Sequence, residues 1–574
     1  MMRAERQSSP LPGLGERVRV RGRSRVASAT RREVPGRRTP LLIAVLFLAT
    51  FLALLPGCKN KNLSAAGGGG PQGAALGLHK STIASLGKQK VPGPASDLRA
   101  SPDGSSAVAL VNGQLPPGEG VPPPMRVGEL WVVKAEGEPL KLGTGVTNMP
   151  GGWLFSDDSR YVMYLTSYAV SSQSGTLWAQ DLTKPVERVK LGDEVTYYVA
   201  SSDSSAVAFV EKGVLKAGPL PQGPFREIAG EVATAQFTPD GKTLYFRRRV
   251  VAAGGLFQVV LADEKRAPRR VTDQVGDFEL NKDASRVAYL AREAPNSRSF
   301  QLYVADAATL KSTKVADAVL RFHFSQDGKL LVRIQGDDPA QPGELWLGSA
   351  DGGLGRKLGD KVKDFVFSPD GTRLAFRQKY KEIELVGQQV EKIGELVIQP
   401  LPDGPQKVIE KKCPNYLFSP DSKVLAYTAT VLTPLYSRDL YVLREGDEKA
   451  AKIKEWLYEY VFTPASDQLL FRADCTREGR SCWLLSLDVT KSGQTPVQIV
   501  DATFSFKLSR DGKKVLAVYA HTLDGSFDVQ SVDLATKQKK PLDGNVKPPV
   551  QFLGNGAVYV IEEKSRAGIY VADL

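Results

Sequence analysis

Phe367-Ser368-Pro369-Asp370-Gly371-Thr372-Arg373-Leu374-Ala375-Phe376 decides the fold, because degenerate copies of it recur along most of the chain. Pro369 presets φ for a tight turn, Asp370 can accept hydrogen bonds from nearby backbone N–H groups, and Gly371 tolerates positive φ. Leu374 and Phe376 then fall on one face of an alternating strand. The ten residues read as a strand end, a turn and a second strand.

The copies keep a period. The third turn position falls at Asp103, Asp158, Asp203, Asp240, Asp283, Asp327, Asp370, Asp421, Ala465, Asp511 and Gly554. Ala465 and Gly554 are degenerate, but Phe462-Thr463-Pro464 and Gln551-Phe552 precede them as the repeat requires. The gaps are 55, 45, 37, 43, 44, 43, 51, 44, 46 and 43 residues, the length of a four-stranded propeller blade. A second motif keeps step: Gly-Glu-Leu-Trp at 128–131 and 343–346, Gly-Thr-Leu-Trp at 175–178, and looser forms ending at Tyr303, Leu396, Tyr441, Trp483 and Tyr570. Two motifs locked to one period exclude a chance repeat.

The Phe-Ser-Pro-Asp-Gly-x-x-Leu-x-Phe pattern resembles the WD40-like (PD40) repeat of TolB-type and dipeptidyl-peptidase-type β-propellers, over residues 84–574. That resemblance implies an all-β fold of about eleven four-stranded blades, each with its first strand lining a central channel. It implies little about activity, since propellers host many unrelated ones. Eleven blades exceed the usual four to eight per ring, so two rings in tandem are expected, one large ring being the alternative. Residues 84–91 read as an outermost strand, whereas the chain stops at Leu574 in a third strand. The two ends are therefore expected to pair in one blade and cover a sheet edge. Residues 114–124, rich in Pro and Gly, and 379–392 read as projections.

Residues 1–57 read as a leader. The first forty hold eleven Arg and three Glu, and 41–55 is apolar except for Thr50. A basic stretch followed by a 15-residue apolar run is the form of a secretory signal, too short for an ordinary membrane span. Leu55-Pro56-Gly57-Cys58 resembles the bacterial lipobox, which implies lipidation of Cys58; the alternative is a plain signal anchor with an incidental cysteine. Residues 58–83, with Gly67 to Gly70, read as a flexible tether. Lys59 stands where some envelope lipoproteins carry an inner-membrane retention aspartate, which points to the outer membrane.

Without the leader's 11 basic and 3 acidic groups, the counts of 76 and 63 become 65 and 60, so the charge falls from +13 to +5. The basicity belongs mostly to targeting, and no nucleic-acid partner is expected.

Candidate chemistry is sparse. His79, His323 and His521 are the only histidines, and no His, Asp, Glu or Cys set has metal-ligand spacing. No Gly-x-Ser-x-Gly elbow or phosphate-binding Gly-x-x-x-x-Gly-Lys-Ser/Thr loop occurs. No catalytic residue, metal or cofactor is expected. The turn aspartates lack the alternating carboxylates of a calcium loop and read as structural. Cys475 and Cys482 flank a hairpin tip and are expected to form a disulfide in an exported protein; Cys413 is expected to be free and buried. Trp456, Tyr458, Tyr460 and Phe462 alternate along a first strand and read as core rather than as a stacking ladder. Arg247, Arg248, Arg249, Arg266, Arg269 and Arg270 form the densest basic cluster of the folded part, read as a solvated edge or, alternatively, a contact for an acidic partner.

The expected function is a non-catalytic binding or scaffolding module, lipid-anchored at the cell envelope, for an envelope protein or cell-wall polymer. The alternative is a glycan- or peptide-processing enzyme with its site at a channel mouth.

Overall fold

In the computed structural model, the residues described are 87–116, 125–184, 187–248, 254–263, 265–292, 299–353, 355–385, 390–431, 437–475, 481–520 and 527–574. They form 41 strands and no helix. Cys58, its leader and tether, His79 and His521 lie outside them.

The strands assemble into six antiparallel sheets of four, one of seven and one of ten. The larger two arise because Arg188–Ala200, Val497–Leu508 and Lys539–Leu553 each run unbroken from the outer strand of one blade into the first strand of the next. Counted with those strands shared, the chain makes eleven blades. Blade 1 opens with Ala95–Ala100, and blade 11 ends with Gly568–Asp573.

Blade 11 takes its fourth strand from the other end of the folded chain. Lys88–Pro92 pairs antiparallel with Gly568–Asp573, placing Lys88 opposite Val571 and Pro92 opposite Gly568. Val91 is buried in the same apolar cluster as Ile569 and Ala107. The pairing removes the edge that blade 11 would otherwise expose.

Apolar side chains on the two faces of each sheet form the core, with Phe209, Phe246, Phe376 and Phe471 fully buried. Eleven clusters result, each spanning two blades that are neighbours in chain order, and one of them joins blade 11 to blade 1. Two rings would each need a closing interface between blades distant in sequence. Among the described residues, none of the eleven clusters supplies one.

The repeated motifs explain the local structure. The Ser368 hydroxyl donates to Asp370 (2.6 Å), whose Oδ1 also accepts from the Thr372 N–H and hydroxyl, while the Arg373 N–H donates to Ser368 Oγ. Gly371 closes the turn at φ +74°. In blade 9, where the third turn residue is Ala465, Thr463 donates instead to Asp467, so a carboxylate two residues on replaces the missing one. The Gly-Glu-Leu-Trp motif is also structural. Glu129 and Glu344 each accept from the indole N–H two residues on (Trp131 and Trp346) and from a lysine of the outer strand (Lys141 and Lys357).

A third recurrence is Phe-Arg on the second strand: Phe246-Arg247, Phe376-Arg377 and Phe471-Arg472. Each phenylalanine enters the core, and each arginine reaches the next blade. Arg247 donates to the Gly276 carbonyl, Arg377 to that of Pro414 and to the Asp364 carboxylate, and Arg472 to those of Thr503 and Phe504 and to Glu459. A guanidinium carries enough donors to bridge several carbonyls and a carboxylate at once. These arginines are latches between blades.

Candidate functional site

Each blade has two ends. The first strand runs into the repeated turn, so all the turns lie at one end. The hairpins between second and third strands, and the crossings between blades, lie at the other.

At the turn end the sequence-predicted aspartates are brought together into a belt, but as structural groups. Asp103, Asp158, Asp203, Asp240, Asp327, Asp370, Asp421 and Asp511 each accept from the Ser or Thr hydroxyl two residues earlier, and Asp283 accepts from the Ser285 N–H. Neighbouring turns also touch. The Asp103 N–H donates to Ser159 Oγ, that of Asp370 to Ser422 Oγ, and that of Asp421 to Ser466 Oγ, each at 2.9 Å. Ser159, Ser422 and Ser466 have φ between +62° and +68°, where other copies of the turn use glycine. The bond between blades offsets the strain of a left-handed serine. Burial works against ionisation of Asp370, but its Ser368 and Thr372 donors prevail and hold it below the usual carboxylate range.

Between the turns of blades 4 and 5 the belt parts around a cleft of about 450 Å³. Asp240, Asp283, Asp306, Lys282 and Arg286 line it. Asp306 accepts from Thr309 and from Arg286 (2.8 Å), so its charge is already matched.

The first strands hold one constellation not legible as a motif. Glu279 of blade 5, 8% exposed, faces His323 Nδ1 of blade 6 at 3.1 Å and accepts from the Phe324 N–H. The His323 ring meets Phe365 of blade 7 edge-on, 5.8 Å between centroids. A carboxylate that fixes one imidazole nitrogen leaves the half-exposed remainder of the ring to face other groups. Glu279 lies 44 residues before His323, one blade period, and that spacing is the signal that finds it. Among the described residues, no three His, Cys, Asp or Glu side chains gather as metal ligands.

The hairpin end is different in kind. The described residues of the 379–392 projection continue the pairing of Arg373–Glu384 with Val390–Pro400, as far as Glu384 opposite Val390. Glu391, buried one residue from that last pair, accepts from Arg438 of blade 8 at 2.8 Å. Cys475 and Cys482 are joined in a disulfide at the base of the blade 9 hairpin, and Cys413 is free and buried. Burial pushes the Cys413 thiol well above its ordinary value.

The alternating aromatics of blade 9 divide. Phe462 is core and Tyr460 packs beside it, but Trp456 and Tyr458 stand exposed, with Tyr458 over the Arg472 guanidinium at 4.5 Å. A bulge between Leu457 and Glu459 breaks the period-two alternation, which is why a reading of all four as core fails for two. The described arginines of the basic cluster are largely engaged: Arg247 with Gly276, Arg248 with Gly230, Arg269 with Ala308 and Arg270 with Asp273.

No protein-family model matches the chain, and no curated protein matches it. Solved structures do. The β-propeller domain of the Trilobed protease from Pyrococcus furiosus is 13% identical, over 61% of this chain and 95% of that one, with a TM-score of 0.26. A putative TolB from Agrobacterium tumefaciens is 18% identical, over 43% of this chain and 89% of that one, at 0.22. The tricorn protease is 13% identical, over 80% of this chain and 59% of that one, at 0.24. At such identities and TM-scores these likenesses carry no argument about what this chain does.

Proposed function

We propose that this chain is a lipid-anchored cell-envelope β-propeller whose eleven blades form one ring, and that it is a non-catalytic binding or scaffolding module. Its partner is an envelope protein or a cell-wall polymer, engaged through the hairpin end. One observation carries this reading: the turn end spends its carboxylates and hydroxyls on the belt, whereas the hairpin end of blade 9 leaves three large aromatics in solvent. Exposed aromatic surface of this kind is what recognition uses. The lipobox-like 55–58 stretch supports the anchor, and the tether after it gives the ring reach.

Site-specific photo-crosslinkers in intact cells test the reading. One placed at Glu455, at the hairpin end, is expected to capture a partner, and one at Lys513, at the turn end, is not. Equal capture from both ends, or from neither, would sink it. Replacing Cys58 by Ser is expected to release the protein from the membrane fraction. The His323–Glu279 pair favours the enzymatic alternative; that reading gains only if His323→Gln abolishes a turnover that Trp456→Ala leaves intact.

A further inference from the structure

Two basic stretches meet at the turn end of blade 10. The first, 509–514, is the repeated turn itself and carries Arg510, Lys513 and Lys514. The second, 533–539, links the third strand to the outer one and carries Lys537 and Lys539, with Lys540 next. Strand register sets Lys514 opposite Asp533 and Lys539 opposite Val532, and the Leu534 N–H donates to the Lys513 carbonyl. Stretches 20 residues apart in the chain thus share one end of one sheet.

Their charge is out of step with the repeat. Five cations against Asp511 and Asp533 give the two stretches a net +3, whereas the corresponding stretches of blades 1 to 9 run from −2 to +1. Both aspartates are spent on their own turns. Asp511 accepts from the Ser509 hydroxyl and the Lys513 N–H, and Asp533 from the Thr536 hydroxyl and N–H. Among the described residues, Lys539 has a carboxylate at ion-pair distance, Asp501 at 3.7 Å, and the side chains of Arg510, Lys513, Lys514, Lys537 and Lys540 have none. Arg247 and its neighbours, by contrast, are engaged by carbonyls and Asp273. Crowded like charges oppose folding, so the ring gains nothing from these lysines.

The chain enters the ring at the same end. Lys88, exposed, opens the outer strand of blade 11 opposite Val571, and Asp573, two residues on, pairs with Gly556, which leaves the last turn. Blade 11 packs on blade 10 through Leu516, Val550 and Tyr559. The chain before residue 87, with its lipobox-like stretch, therefore joins the ring beside the basic end of blade 10.

We infer that the turn end of blade 10 rests on an anionic phospholipid surface, its ammonium groups meeting lipid phosphates. Five of the six cations are lysines, compact charges on flexible stems that suit a mobile headgroup layer, whereas a fixed bidentate ligand would call for arginine. The contact turns the hairpin end away from the membrane, toward the partner. The inference rests on the anchored reading above and gives it an orientation.

The full chain, purified in detergent and reconstituted on vesicles, tests it. A fluorophore is attached at Ala535→Cys, on the turn end, or at Glu455→Cys, on the hairpin end, and quenched by a headgroup-labelled lipid. On vesicles containing phosphatidylglycerol the Ala535 label should be quenched at least threefold more than on pure phosphatidylcholine, and ~1 M salt, where screening falls to ~3 Å, should remove the difference. The Glu455 label should not respond. Lys513→Glu/Lys514→Glu/Lys539→Glu should abolish the effect with an unchanged melting temperature, and the corresponding glutamine triple should fall between. Lys282→Glu/Lys311→Glu/Lys329→Glu, which changes net charge equally on blades 5 and 6, should leave it intact. Retention on neutral vesicles reports the anchor and the gain on anionic ones reports the lysines, so the two readings fail separately. Equal quenching of both labels, no preference for the anionic lipid, equal loss in the control triple, or a protein captured by the Lys513 crosslinker would overturn the inference.

Discussion

The two ends of the blades are built from the same repeat and obey different rules. At the turn end, several deviations are compensated, although Ala284 holds φ +56° with no side chain to accept a bond. Where glycine is missing, Ser159, Ser422 and Ser466 accept a bond from the neighbouring turn; where aspartate is missing at Ala465, Asp467 supplies the carboxylate. At the hairpin end, deviations such as Trp456 and Trp483 are left exposed and repair nothing. A repeat protein can vary where blades do not need each other, and the contrast separates residues kept for the ring from residues free to serve a partner.

The comparison breaks most sharply at the latches between blades. Arg377→Ala takes the guanidinium from the Asp364 carboxylate, leaving it the Tyr416 hydroxyl, and leaves the Pro414 carbonyl without its partner, and should destabilise by about 3–5 kcal/mol in chemical denaturation. A loss below about 1 kcal/mol would mean that blades 7 and 8 are held by apolar packing alone.

Next come the turns. Asp370→Ala orphans the Ser368 and Thr372 donors and should cost about 1 kcal/mol. Asp103, Asp158, Asp203, Asp240, Asp283, Asp327, Asp370 and Asp511 all titrate below the ordinary carboxylate range. Their stabilising effect is therefore complete above the unfolded-state value near pH ~4 and is lost as pH falls through the lower folded-state values. Acid titration followed by circular dichroism should show stability dropping below pH ~4, with a shallower slope in Asp370→Asn. A loss that begins near neutrality would point to other groups.

Smaller effects sharpen the contrast. Ser422→Ala keeps the strained φ and removes the acceptor of the Asp370 N–H, so about 1 kcal/mol should be lost. Ser422→Gly relieves the strain while losing the same bond and should fall between alanine and the parent, as melting curves can resolve. Tyr460 carries a buried hydroxyl with no hydrogen-bond partner, so Tyr460→Phe should be neutral or stabilise by up to about 1 kcal/mol. Smallest of all, Trp456→Ala should stay within about 0.5 kcal/mol. A larger cost would make that tryptophan a structural residue and remove the distinction between the two ends.

Much of the fold was legible in the chain. The Asp370 turn cassette and its period gave the number of blades, because a turn, a strand pair and their hydrophobic alternation are local properties. The pairing of 84–91 with the last blade followed from counting strands at each end, and the structure places Lys88–Pro92 there. The site was less legible. Only their spacing of one period links Glu279 to His323 in the chain, and the first-strand alternation predicted Trp456 and Tyr458 as core because a bulge is invisible in the spacing. The alignment of Trp483 with the Trp131 position failed for the same reason: sequence offers a nearby aromatic, and only register shows it to be two residues out of step.

What the sequence determined alone was the cassette, its repetition and hence eleven four-stranded blades, since hydrogen bonds within a turn and side chains at period two need no distant partner. Tertiary structure decided that each apolar cluster joins consecutive blades, that Arg377 and Arg472 serve as latches, and which aromatics of blade 9 meet solvent. Those outcomes depend on strand register, bulges and the packing of one sheet against the next. Arg377 reaches Pro414 and Arg472 reaches Phe504, 37 and 32 positions on, beyond the reach of any local pattern.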